Sequence, residues 1–184
     1  MTDTLSTRRA STLWIMLLTL ASTATTLVFA CATPFPALAA LAAAHMRRAD
    51  GVALAVAAWV ASQAVGFCLL DYPTDASTML WGVAIGTAAV AGAFAAHAAA
   101  ARVPASEPAR LAAGYLAAFV AFKLVILLWS LGRGEVGSAL SVEIMARQFA
   151  RNALILGGLT ALYHLLVRVG VPTPRRLAPA ALGA

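Results

Sequence analysis

Two cysteines, one lysine and a set of polar side chains inside apolar runs carry whatever chemistry this chain performs. Cys31 precedes Pro34-Phe35-Pro36, and Cys68 precedes Asp71-Tyr72-Pro73-Thr74-Asp75. Three readings are open for a thiol so placed. It is a small buried hydrophobe, half of a disulfide in an oxidising compartment, or, as thiolate, a ligand for a soft metal centre. Near the last apolar run, Glu143, Arg147 and Arg151 repeat at four-residue spacing, with Gln148 and Asn152 in an adjacent row. On a helix these form one polar stripe in which Glu143 and Arg147 can pair. The stripe is either a salt-bridged helix end at the headgroups or one wall of a polar cavity. Lys123 lies inside an apolar run, so it either snorkels or pairs with Glu143, or it touches a ligand. His97 and His164 at similar depth would suit axial ligation of a haem, against the plainer reading of structural histidines. No Walker A loop, G-x-S-x-G or H-E-x-x-H is present, so the chain carries no ATP-hydrolysing site of its own.

The elements that must position these groups follow from hydropathy. Of 184 residues, 62% are hydrophobic and only 11% are charged, with a mean hydropathy of +0.87. A soluble domain carries about 25% charged residues. The composition therefore excludes soluble, disordered and disulfide-scaffold classes and leaves an integral membrane protein. Apolar runs cover 12–30, 37–46, 51–70, 77–100, 111–131 and 141–169. The first is read as a retained helix rather than a signal peptide, because it is longer than an h-region. The second is too short to cross a hydrocarbon core of about 30 Å unaided. It is a tilted span or a half-helix shielded by its neighbours.

The expected architecture is all-α: a polytopic membrane protein of six transmembrane helices, the second one short. Residues 1–11 are a polar N-terminal tail, 12–169 a single membrane domain and 170–184 a cytoplasmic tail. The net charge of +6 is not a nucleic-acid footprint, because the arginines stand in small groups between apolar runs. With the N-terminus inside, Arg8, Arg9, Arg47, Arg48, Arg102, Arg110, Arg168, Arg175 and Arg176 fall on the inner side, and only Arg133 falls outside. That asymmetry puts both termini in the cytoplasm and both cysteines at the outer face of the inner membrane. Small residues at Gly82, Gly86, Ala88, Gly92, Ala96 and Ala100, and at Ala113, Ala117 and Ala121, form faces for close packing, internal or with a partner helix.

Six short helices in under 200 residues, with both termini inside, resemble the S components of energy-coupling-factor vitamin transporters. The segment Gln63-Ala-Val-Gly66-Phe-Cys68-Leu-Leu-Asp71-Tyr72-Pro73 is similar to the BtuM-type cobalamin transporters. The resemblance implies an S-component-like bundle that takes up cobalamin (vitamin B12), with Cys68 as axial ligand to the corrinoid cobalt. It implies that Asp71, Tyr72 and Pro73 shape the loop lining the site, and that the thiol assists reductive removal of cyanide from cyanocobalamin. Tyr72, Trp81 and Trp129 would wall the corrin ring, and Asp71, Asp75, Gln148 and Asn152 would meet its amides. Arg133 or Arg147 would favour the thiolate. S components often dock a coupling module through A-x-x-x-A on helix one. Here Ala21, Ala24 and Ala30 are not so spaced, which departs from docking and agrees with a solitary transporter. The competing expectations are an S component for another vitamin with an energy-coupling-factor ATPase module, a haem protein using His97 and His164, and an assembly protein with no ligand.

Overall fold

The computed structural model describes residues 2–28, 34–103, 106–134 and 141–174. Among them six helices follow in order: α1 Thr2–Val28, α2 Phe35–His45, α3 Arg48–Leu69, α4 Ala76–Ala100, α5 Glu107–Arg133 and α6 Val142–Arg168. All but α2 are long and apolar enough to cross a membrane. The chain is a polytopic helical membrane protein.

The short helix is the centre of the bundle. Its 11 residues span about 16 Å at 1.5 Å per residue, and Phe35 through Ala44 are all buried. Pro34 and Pro36 fit its start, where the first backbone N–H groups need no intrahelical acceptor. Helices α3, α4, α5 and α6 pack around it, and Trp14 and Leu18 of α1 join the same core. A half-helix cut off from lipid in this way leaves no backbone group facing hydrocarbon.

Small side chains let the neighbours approach. On α4 the expected face is internal: Ala88, Gly92, Ala96 and Ala100 are all buried. A Cβ on Gly92 would lie 3.3 Å from the Ala118 carbonyl oxygen of α5. Gly82 and Gly86 do not seat a partner helix. Gln63 packs on Gly82, and the Trp59 ring covers Gly86 while its indole N–H donates to the Gly82 carbonyl at 2.8 Å. On α5 the close row is Gly114 and Ala118, both buried, one position on from the expected Ala113, Ala117 and Ala121.

Of the N-terminal tail expected over residues 1–11, residues 2–11 are the start of α1. Ala10 and Ser11 are buried, and the Ser11 hydroxyl donates to the Asp50 carboxylate at 2.8 Å. That bond gives the polar end of the helix a partner on α3. At the same end Arg48 stacks over Phe94, 4.7 Å from the ring centroid. Beyond α6, residues 170–174 are not free either. Trp14, fully buried, donates its indole N–H to the Pro172 carbonyl at 2.8 Å, and Pro174 is buried. Residues 175–184 lie outside the described residues.

Candidate functional site

The end of the bundle opposite Arg47, Arg48, Arg102 and Arg168 carries the α3–α4 turn. Helix α3 closes with the Leu70 N–H on the Val65 carbonyl. Asp71 then takes a left-handed backbone conformation, φ 50°, which asparagine and aspartate tolerate better than other side chains. The chain reverses, and the Tyr72 N–H returns to the Gly66 carbonyl at 3.1 Å. The Tyr72 ring lies over Gly66, where a Cβ would come within 2.7 Å of it, and meets Phe67 edge-on at 6.2 Å. Gly66 is therefore required for this turn. Cys68 stands beside it as an exposed free thiol, with Asp71 and Pro73 also exposed. Asp75 caps α4: its carboxylate accepts from the Thr78 hydroxyl at 2.8 Å and the Thr78 N–H at 3.1 Å. The Thr78 side-chain bond, then the backbone bond, hold the Asp75 carboxyl below its ordinary value.

Thus Cys68, Asp71, Tyr72 and Pro73 share one turn. The other expected site residues belong to other elements. Trp129 is half-buried near the end of α5, and its indole N–H has no acceptor. Arg133, one turn on, donates to the Ser77 hydroxyl at the start of α4 at 2.7 Å. Arg147 pairs with Glu143 at 2.5 Å along an exposed face of α6, as their spacing requires. Cys31 and Glu135 lie outside the described residues, so the disulfide reading has no structural counterpart there.

Lys123 differs from its expected pairing. Its ammonium donates to the Gln148 side-chain oxygen on α6, not to Glu143, because Glu143 is held by Arg147. Asn152 donates from Nδ2 to the Gln148 carbonyl at 3.0 Å and leaves Oδ1 without a partner. One layer deeper, Phe149 packs on Tyr115 at 5.1 Å and on Phe119 at 5.2 Å, and the Tyr115 hydroxyl donates to the Phe149 carbonyl. These contacts tie the first half of α6 to α5. From Val142 to Gly158 no residue of α6 is buried, and its buried residues are Leu159 and Tyr163.

At the basic end the bundle is closed by a cluster that residue spacing did not suggest. Glu107 Oε1 sits 2.8 Å from His164 Nε2 and 3.3 Å from His45 Nε2. His45 stacks on Tyr163 at 4.0 Å, and Tyr163 packs on Trp14 at 4.7 Å. Helices α1, α2, α5 and α6 all contribute. The only signal in the sequence is that His45, Glu107 and His164 each fall within about a turn of a run end. The pair invoked for haem is separated: His164 faces Glu107, whereas His97 is buried, donates Nδ1–H to the Ala93 carbonyl at 2.9 Å and packs its ring edge on Gly51. Among the described residues no three His, Cys, Asp or Glu side chains are arranged to hold a metal ion. No family model, curated protein or solved structure matches the chain.

Proposed function

We propose that the chain is an inner-membrane uptake protein that binds cobalamin at the Cys68 end, with the Cys68 thiolate as axial ligand to the corrinoid cobalt. The observation that carries this reading is the exposed Cys68 thiol in the last turn of α3, beside the reversal made by the left-handed Asp71 and by Tyr72 packed on Gly66. An exposed sulfur donor is open to a soft metal. Ligation is a substitution. The thiol proton passes to solvent, the sulfur lone pair forms the Co–S bond, and the outgoing cyanide keeps the electron pair of the Co–C bond and takes up a proton. Asp71 and the Tyr72 ring stand at the rim, where corrin amides and an apolar edge would lie.

The shape of the bundle agrees with loading from that end. The basic end is plugged by α2, Trp14, Tyr163 and the Pro172 strap, and the upper turns of α6 stand apart from the core. The similarity of the Gln63–Pro73 segment to BtuM-type transporters points to the same substrate. Incubation of detergent-purified protein with cyanocobalamin, followed by desalting, tests the reading. Wild type is expected to retain corrinoid with an altered absorbance spectrum, and Cys68→Ala to lose it. Equal retention by the two proteins would remove the ligand role. Co-purification of an ATPase module would shift the assignment to a coupled S component.

A further inference from the structure

Of the 13 lysines and arginines in the chain, 12 are arginine, and the one lysine is in the middle of a span. Lys123 is ten residues from Arg133 and sixteen from Glu107 on α5, about 15 Å and 24 Å along the axis from the two helix ends at 1.5 Å per residue. Among the described residues its ammonium meets only neutral groups: the Gln148 oxygen and, 5.8 Å away, the face of Phe119. The five carboxylates whose side chains are described are all elsewhere. Glu143 holds Arg147, Glu107 holds the two histidines, Asp50 accepts from Ser11, Asp75 caps α4, and Asp71 is on the α3–α4 turn. An ammonium at such depth without a counter-ion is costly, and positions of this kind mark ligand and ion paths. Its neighbour Phe122 stacks on Phe35 in the first turn of α2 at 5.9 Å. Lys123 therefore sits at the level of the positive end of that helix, which adds to the same field.

We propose that Lys123 is the anchor for an anionic group of the ligand, a phosphate ester, that enters between the upper turns of α5 and α6. The proposal rests on the reading of that end of the bundle as the loading side. Within it, cobalamin supplies one such group, the phosphodiester that joins its nucleotide loop to the corrin. The ammonium pairs with a phosphate oxygen, and Gln148 keeps Lys123 in place when the site is empty. Asn152, with Oδ1 unpartnered one turn further along α6, offers an acceptor beside it for a ligand hydroxyl or amide N–H.

Because Lys123 is the only side-chain amine, amine-specific reductive methylation reads this residue alone, with the N-terminus resolved by peptide mass. The experiment follows its rate in maltoside micelles with cyanocobalamin, with dicyanocobinamide (a corrinoid lacking the phosphodiester), with methyl phosphate, and with phosphatidylglycerol in the micelle. The expected result is protection by cyanocobalamin and, at higher concentration, by methyl phosphate, with none from dicyanocobinamide. In parallel, Lys123→Met should weaken cyanocobalamin about tenfold or more, the loss of one charge-assisted bond, and leave dicyanocobinamide unchanged. Lys123→Arg, which keeps the charge, should retain most of the affinity. Protection by methyl phosphate without corrinoid binding would uphold the anion site and reject cobalamin as its source. Protection by phosphatidylglycerol alone would assign the phosphate to lipid and overturn the ligand role. Cyanocobalamin binding that needs Cys68 but neither protects Lys123 nor responds to Lys123→Met would overturn the anion site and leave the cobalt reading standing.

Discussion

Replacing Glu107 with glutamine tests how α6 is held to the bundle. Glutamine keeps the shape and one acceptor oxygen but removes the charge shared by His45 and His164. The His164 side chain is 47% exposed, so that pair counts as a surface interaction of about 0.5 kcal/mol. His45 is only 11% exposed, its Nε2 3.3 Å from the same carboxylate oxygen, and a close contact so shielded contributes about 1 kcal/mol. Glu107 also lies in the first turn of α5, where a negative charge adds about 0.5 kcal/mol. The sum is about 2 kcal/mol. For a chain of this size it lowers the unfolding temperature by about 4–8 °C. Thermal unfolding of the two proteins in one detergent reads this directly. Equal unfolding temperatures, or a more stable Glu107→Gln protein, would refute the clasp.

Other perturbations follow from single contacts. Gly92→Val drives a side chain into the Ala118 carbonyl across the α4–α5 seam, and overpacking of that kind costs about 1–3 kcal/mol, visible as a lower unfolding temperature. Gly66→Ala displaces the Tyr72 ring while improving the helix by about 1 kcal/mol. Stability should change little and corrinoid retention should fall, which desalting after incubation measures. The Asp75 carboxyl is held below its ordinary value by Thr78, so its cap is intact above the ordinary carboxylate range and is lost as pH falls through the lowered value. Amide exchange at Thr78 should accelerate there in wild type, and Asp75→Asn should abolish that pH dependence.

The helices were legible because each apolar run is long and bounded by proline, glycine or charge. Length alone left the short run either a tilted span or a half-helix, and the burial of Phe35 through Ala44 among four neighbouring helices decides for the half-helix. Pairs within one helix were also legible, as Glu143 with Arg147 shows. Pairs between helices were not: Ser11 finds Asp50 and Lys123 finds Gln148, and no local spacing encodes either. The α5 packing row shifts by one residue because alanine is so common there that neighbouring rows look alike, and only the fit of Gly114 against Ala40 of α2 decides between them. The His45–Glu107–His164 cluster joins three helix ends distant in the chain. The turn after Cys68, in contrast, is local, and Asp71-Tyr72-Pro73-Thr74-Asp75 carried its signal in the sequence, whereas the need for Gly66 beneath the Tyr72 ring shows only in the packing.

The proposed Co–S bond of Cys68 is tested most directly by X-ray absorption at the cobalt edge of protein loaded with cyanocobalamin. A sulfur scatterer is expected in the first shell of wild type and should disappear in Cys68→Ser. Bound corrinoid whose cobalt has only nitrogen and carbon neighbours, or a protein that retains no corrinoid at all, would contradict it.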